Sequence, residues 1–409
     1  MAGLIDLARR NWQIFNPSEL PKVEKPLMFG ILGAADIAPM ALISPAKTHP
    51  DVKILAVAAR NYDKAKAYAQ KHGIPEVKAS YQDIINDTQI DCVYIPLPNG
   101  LHYEWAIRAL QTGKHVLLEK PSVNNTSEAE MLFRNPVLSG SQPPVLLEAA
   151  HYLFHPAWTQ FMTYISPQDV ASAKAVLWVP RWQFAADNIR YRYDLGGGAL
   201  MDLGAYTASA LFRIFGNVAE ACEECDVQAS SIDANCDRSF KARYRFPGGG
   251  HGEMEGDLKA SLDRWSPNIH VTHRPVVISA KEAGVSLTEA QEAVRVRKIK
   301  FTTFVQPAFL HAIEIDDEFT IHAVADKKSV IKRWKKHQTV KCYSFHEAGI
   351  EQIGEPHWPT YRYQLEQFVN KVRGRETPQW VDHEASINTL RMIDMAYTAA
   401  NLPLRPTSK

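Results

Sequence analysis

Short strands that are apolar along their whole length alternate with helical stretches through the first third of the chain. A glycine turn sits between the first strand and the first helix. Further on, strands follow one another without intervening helices. The first two observations predict a doubly wound parallel α/β sheet of the Rossmann type. The third predicts a following α+β domain with a large, mainly antiparallel open sheet. The expected division is a leader over 1–26, a nucleotide-binding domain over 27–154 and a second, α+β domain over 155–409. The last helices, about 360–400, are placed where they could pack back on the first domain.

Taken in order, the leader is a short amphipathic stretch followed by Pro17, Pro21 and Pro26. Residues 27–32 read as the first strand, with a helix from about Ile37. A second buried strand covers 53–59, and a helix over 63–72 ends at Gly73, the left-handed C-cap residue. Strands are expected at 90–95, 115–118 and 145–149, with helices at about 101–112, closed by Gly113, and 126–134 between them. After His155 come helices to about Ile165 and over roughly 198–214. Strands are then expected at 222–230, 238–246, 268–279, 312–324 and 329–334, and helices at about 360–373 and 383–400.

The 409 residues carry 45% hydrophobic and 22% charged side chains, which excludes disorder and a small disulfide scaffold. A formal net charge of +1 gives no global field for nucleic acid or anionic membrane, and no apolar run approaches a membrane span. Five cysteines, an odd number, point to reduced thiols, and the expectation is a cytoplasmic protein.

The turn Gly33-Ala34-Ala35-Asp36-Ile37 stands where helix-terminal N–H groups face a pyrophosphate. The second strand ends in Ala59-Arg60-Asn61, without the acid that holds ribose hydroxyls in NAD-binding folds. Arg60 is suited instead to a 2′-phosphate, so NADP is the expected cofactor. Taken alone, Arg60 reads better as a solvated surface arginine; the missing acid beside it tips the reading to NADP.

The segments Gly113-Lys-His-Val-Leu-Leu-Glu-Lys-Pro121 and Ile95-Pro-Leu-Pro-Asn-Gly-Leu-His102 carry a more specific signal. So do Phe154-His-Pro156, 194–206 (Asp-Leu-Gly-Gly-Gly-Ala-Leu-Met-Asp-Leu-Gly-Ala-Tyr) and the ending Leu402-Pro-Leu-Arg405. Together they resemble the Gfo/Idh/MocA oxidoreductases, in the branch of dimeric dihydrodiol dehydrogenases and fungal NADP-dependent D-xylose 1-dehydrogenases. The resemblance implies a homodimer or higher homo-oligomer formed through the open sheet. It also implies that Pro96, Leu97, Asn99, His102, Glu119 and Lys120 border the cofactor, and that Lys120, Asp202 and Tyr206 meet at the substrate.

Oxidising an alcohol requires a group to take the hydroxyl proton and others to steady the developing alkoxide. Tyr206 is expected to transfer the proton, with Lys120 lowering its pKa and binding the substrate oxygen, and Asp202 orienting the two. Asp202 and Tyr206, four apart in a helical stretch, share one face; a solvent-facing pair is the bland reading. The preceding glycines 196–198 permit close approach of backbone or ligand. His151 is expected near the nicotinamide, and Trp182, Asn188 and Arg190 at the substrate. Against the branch's usual Glu-Ala-Phe-x-Tyr-Arg-Phe-His-Pro, this chain has Ala150 and Leu153 in place of an aromatic residue and a cation. That predicts a larger or less polar pocket.

No metal is expected: Cys222, Cys225 and Cys236 lack a fourth ligand, and His151 and His155 lack the intervening glutamate of a zincin. His155, before Pro156, reads as a helix cap. The basic run from Lys327-Lys328 to Lys335-Lys336 reads as a solvated edge strand rather than a nucleic-acid site. The expected activity is NADP-dependent hydride transfer on a sugar or related diol. The alternatives are a carbonyl or imine reductase with a bulkier substrate and a non-catalytic NADP sensor.

Overall fold

The computed structural model describes residues 2–185, 187–261 and 267–407. Six strands form the first sheet: β1 (Leu27–Leu32), β2 (Val52–Ala58), β3 (Glu76–Val77), β4 (Cys92–Ile95), β5 (His115–Leu118) and β6 (Leu146–Glu148). All pair in parallel, in the order β3-β2-β1-β4-β5-β6. That order reverses direction at β1 and β4, and such a crossover leaves a crevice at the carboxyl ends of the strands. β4 is buried throughout and β1 nearly so, which is why neither alternates in polarity.

The helices on this sheet begin where polar side chains cap them. Asn61 accepts from Lys64 N, Ser80 and Asp83 form a capping box, and Asn125 accepts from Glu128 N. Gly73 closes the helix Tyr62–His72 with φ 69°. The first helix is shorter than expected: a π-helical turn, Pro39–Ile43, passes into one α-turn at Ser44–Lys47.

The second sheet has nine strands: β7 (Val170–Pro180), β8 (Ala221–Ala229), β9 (Asp237–Phe246), β10 (Gly250–Ala260), β11 (Asn268–His273), β12 (Val276–Ile278), β13 (Gln291–Thr302), β14 (Ala312–Ala323) and β15 (Asp326–Val340). The order is β15-β14-β13-β11-β7-β10-β9-β8, with β12 on β13. Only β7 and β10 pair in parallel. Sequence reading passed over β7, β10 and β13. In β10 the buried face alternates correctly, but glycines fill half of it: Gly250, Gly252 and Gly256 alternate with outward His251, Glu253, Glu255 and Asp257. These glycines admit aromatic rings. A Cβ on Gly252 would lie 2.6 Å from Phe246, and one on Gly256 would overlap Phe240.

The helix Gly204–Phe215 lies across β7 and β10, and the helix His383–Ala399 packs on both it and the helix Thr126–Phe133. The helix Thr360–Val372 packs on the first domain, where Arg362, buried against Glu366 at 2.7 Å, also donates to Thr48. Beside it Arg375 pairs with Asp51 at 2.8 Å. Phe368 of the same helix packs on Phe29 of β1, so the helix shares the first domain's core.

At the start of the chain a helix, Ala2–Phe15, extends the short amphipathic stretch read from sequence. Arg10 fixes it, lying 3.4 Å from the ring centre of Tyr343 and donating to Ala308 and Phe309 carbonyls. β15 is a sheet edge, as its lysines suggested; the side chains of Lys327 and Lys328 lie outside the described residues. Among the described residues no helix is long and apolar enough to cross a membrane.

Candidate active site

The turn after β1 and the segments after β4 and β5 meet at the carboxyl edge of the first sheet. Gly33 has φ 110°, and a Cβ there would lie 3.1 Å from Leu97 Cδ2, so the turn and the β4 loop close on each other only with glycine. Gly33 N donates to Ala58 O, and Tyr68 Oη holds Ala35 O. Among the described residues, the N–H groups of 34–37 are given to no protein acceptor. Four free amides at a strand-to-helix turn suit a pyrophosphate. Arg60 is exposed on the neighbouring loop.

Other residues expected at the cofactor have protein partners. His102 is buried, and its ring lies between Leu97 O at 2.7 Å and Pro121 O at 2.9 Å, tying the β4 and β5 loops together. Burial brings its pKa down to about 4 against the pull of those carbonyls, and a neutral ring donates to only one of them. Asn99 Nδ2 donates to Gly196 O in the second domain. Glu119 accepts from Tyr94 Oη at 2.7 Å; burial raises its pKa, with that hydrogen bond and Lys120 opposing. Pro96 and Leu97 are buried on the same loop.

Lys120 stands at the end of β5, 12% exposed, and reaches across the domain boundary. Its ammonium donates to Asp202 Oδ1 at 2.8 Å and to Asp202 O at 2.9 Å. The second bond exists because the expected single helix is broken: Ala199–Asp202 ends at Leu203, and the next helix starts at Gly204. The break frees the Asp202 carbonyl for the lysine. Arg190 takes the other carboxylate oxygen at 2.7 Å. Burial alone would raise the Asp202 carboxyl, but the charges of Arg190 and Lys120 and their hydrogen bonds outweigh it and hold it below the usual carboxylate range.

Tyr206 is buried, and the Lys120 ammonium lies 4.4 Å from its ring centre, over the face rather than at the hydroxyl. The hydroxyl meets His151 Nε2 at 2.9 Å, and His151 Nδ1 meets Thr360 Oγ1 at 2.8 Å. Two expectations are corrected here. Burial, with Tyr361, Glu119 and Asp202 nearby, raises the Tyr206 pKa well above 10, so its net direction in this state is upward. Both ring nitrogens of His151 are engaged by protein, which leaves neither free for a nicotinamide.

Arg190 is tied to Asn188 and to Asp202, and its side chain is 31% exposed. Asn188 Oδ1 accepts from Arg190 N and Nη1, and Phe184 lies under the guanidinium at 4.1 Å. Trp182 is 61% exposed on the turn after β7 and makes none of these contacts. The glycines at 196–198 admit protein rather than a ligand. A Cβ on Gly197 would strike three carbonyl oxygens, and one on Gly198 would strike Asp237, Arg405 and Tyr397.

Arg405 and Asp237 went unnoticed as site residues, although Arg405 closes one of the quoted motifs. Arg405 Nη2 meets Asp237 Oδ1 at 2.7 Å with both side chains fully buried, and its Nε holds Gly197 O. Asp237 also receives Leu200 N at 2.6 Å and Tyr397 Oη at 2.9 Å. The same segment accepts from Asn124 and Asn125, just beyond Lys120. Thr360 and Tyr361, the latter 4.0 Å from His151 ring to ring, come from the start of a helix opened by Pro359.

Ala150 and Leu153 line a cavity of about 10 Å³ with Lys120, Tyr206, Glu148 and Arg213, room for about one water. The replacements sit beside the reactive cluster, so they are not distant drift. His155 Nδ1 caps Ala157 N. Cys222 and Cys225 lie on β8, and the five cysteines are free.

An anion-cradling turn at the carboxyl edge of a doubly wound sheet, facing a lysine–aspartate–tyrosine cluster from a second domain, is the arrangement of a two-domain nucleotide-dependent oxidoreductase. Residues 27–135 match the family described as "Oxidoreductase family, NAD-binding Rossmann fold", and 169–273 match the GFO/IDH/MocA C-terminal domain. The chain is 38% identical over 376 residues to a D-xylose 1-dehydrogenase (NADP(+)) of Haloferax volcanii, covering 91% of this chain and 97% of that one. It is 34% identical over 195 residues to a dTDP-3,4-didehydro-2,6-dideoxy-alpha-D-glucose 3-reductase of Actinomadura kijaniata. That match covers 47% of this chain and only 57% of the relative's length. The fold matches that of a 3-ketoreductase from the same organism, crystallised with NADP and TDP-benzene. The TM-score is 0.64 at 21% identity, covering 92% of this chain and 98% of that one. This chain belongs to the Gfo/Idh/MocA oxidoreductase family.

Proposed function

We propose that this protein is an NADP-dependent dehydrogenase acting on a sugar or related diol at the cluster of Lys120, Asp202 and Tyr206. The observation that carries this reading is Lys120, held by two acceptors of Asp202 beside the Tyr206 ring at the edge of the nucleotide crevice. Similarity to a D-xylose 1-dehydrogenase along nearly the full length of both chains supports the substrate class. A nicotinamide held in the crevice would supply the hydride acceptor. Lys120 steadies the oxygen that becomes an alkoxide, Asp202 and Arg190 fix the lysine, and Tyr206 takes the hydroxyl proton. The free amides of 34–37 hold the pyrophosphate, and Arg60 selects the 2′-phosphate.

Similarity to a ketosugar reductase favours a second reading. In it the same cluster runs in reverse on a larger ketone. Formation of NADPH from NADP with D-xylose, other aldoses and a trans-dihydrodiol tests the first reading. NADPH oxidation by a ketosugar nucleotide tests the second. Tyr206→Phe is expected to lower turnover by about 10²–10⁴-fold with NADPH binding intact. No turnover in either panel, with tight NADPH binding, would overturn both in favour of a sensor.

A further inference from the structure

A proton moving to Tyr206 needs somewhere to go. The phenol is buried, its pKa stands well above 10, and the ammonium beside it lies over the ring, turned to Asp202 rather than to the hydroxyl. A neutral phenol is a poor base; it accepts a proton usefully only if it surrenders its own in the same event. Its hydroxyl already points at a group able to take that proton. His151 Nε2 lies 2.9 Å from Tyr206 Oη, His151 Nδ1 lies 2.8 Å from Thr360 Oγ1, and Thr360 Oγ1 donates to Gln306 Oε1 at 3.4 Å. His151 and Thr360 are wholly buried, whereas Gln306 is half-buried and reaches toward solvent.

We infer that His151 is the positioning residue behind Tyr206, accepting the tyrosine's proton as Tyr206 receives the proton of the substrate hydroxyl. The inference rests on the reading above that Tyr206 is the proton-transfer group. The donor directions follow from the partners. Thr360 gives its hydrogen to Gln306, so its oxygen accepts from His151 Nδ1–H, and Nε2 is left with a lone pair for the Tyr206 hydroxyl.

The step balances. The substrate C–H bond breaks with its electron pair, which leaves with the hydrogen to the oxidised cofactor. The O–H bond breaks, and its proton bonds to Tyr206 Oη. The former Tyr206 proton bonds to His151 Nε2. The proton then rests on His151 as an imidazolium, whose Nδ1–H stays donated to Thr360 Oγ1. Burial, seconded by the charge of Lys120, keeps the resting imidazole neutral. The ring of Tyr361, 4.0 Å away, fixes its plane.

The test uses the full chain, with His151→Phe and His151→Gln beside wild type. Glutamine keeps an acceptor for the Tyr206 hydroxyl but cannot take a proton. Both variants are expected to lose about 10²-fold in kcat, with KM and NADPH affinity within about threefold. Their kcat should climb about tenfold per pH unit between pH 7 and 9, where wild type is level. Recovery of wild-type kcat and a level profile by His151→Gln would reduce His151 to a hydrogen-bond acceptor and overturn the inference.

A second measurement needs no substrate: the ¹⁵N resonances of the His151 ring. A neutral ring protonated on Nδ1 at pH 7, whose Nε2 resonance moves in Tyr206→Phe, is the expected result. A ring protonated on Nε2, or one indifferent to that substitution, would overturn it. If wild type turned over nothing, the functional reading would fail by itself and the resonances would still decide whether His151 is poised as described.

Discussion

Arg405→Ala tests how strongly the second domain depends on one buried ion pair. The guanidinium meets Asp237 at 2.7 Å, the Gly197 carbonyl, Pro403 O at 3.3 Å, and the rings of Tyr397 at 4.1 Å and Tyr193 at 5.2 Å. Truncation leaves the Asp237 carboxylate fully buried with only Tyr397 Oη and Leu200 N to hold its charge. Removing one partner of a buried pair in this way costs about 3–5 kcal/mol, because the remaining charge is uncompensated. At about 2–4 °C per kcal/mol for a domain of this size, the melting temperature should fall by about 6–20 °C. Urea unfolding followed by fluorescence, with calorimetry beside it, reads both numbers. The double variant Arg405→Ala/Asp237→Ala should lose less than the two single losses added, since no orphan charge remains. A loss under about 1 kcal/mol in Arg405→Ala would refute the reasoning, for the pair would then behave like one in solvent.

Three further outcomes are expected. Gly256→Ala drives a methyl group into Phe240 and should cost about 1–3 kcal/mol by overpacking, read as a lower urea midpoint at unchanged slope. Stability should fall as pH drops below 6.5. Burial lowers His49 to about 2 and His102 and His311 to about 4, and takes His151 and His155 well below 6.5. The unfolded chain therefore gains protons in that window that the folded chain refuses, and stability present above pH 6.5 is lost below it; a urea midpoint level from pH 7.5 to 5.5 would contradict this. Arg60→Ala should cut the preference for NADPH over NADH by about 10-fold or more, following a loss of 1.4 kcal/mol or above on the phosphate. Fluorescence titration with both nucleotides measures it, and an unchanged ratio would remove Arg60 from the site.

Five strands of the first sheet were readable because they are largely apolar and alternate with helices closed by residues such as Gly73. Two-residue β3 and the short helix Tyr81–Asn86, despite its Ser80–Asp83 capping box, were passed over. β10 was not readable, because glycine registers as a turn residue in sequence while serving here as the buried face beneath Phe215, Phe240 and Phe246. Alanine-rich β7 carries no alternation strong enough to mark a strand. β13 places Arg295, Arg297, Lys298 and Lys300 on both faces of a half-open strand. At the site, Lys120, Asp202 and Tyr206 were identified on motif resemblance, and the structure brings them together. What they touch was not legible. The break at Leu203 that frees the Asp202 carbonyl leaves no sequence mark, and His151 meets Tyr206 across 55 residues of chain.

The segment Leu402–Thr407 also ties the two domains together. It is bonded to Asn124 and Asn125 on one side and to Gly197 and Tyr193 on the other, and Asn99 adds a direct bond to Gly196 nearby. The segment is thus a strap between the two domains, anchored to the loop beyond Lys120 on one side and to the glycine turn before Asp202 on the other. Losing it would loosen the seam from which the lysine and its aspartate face each other, although neither residue belongs to the strap.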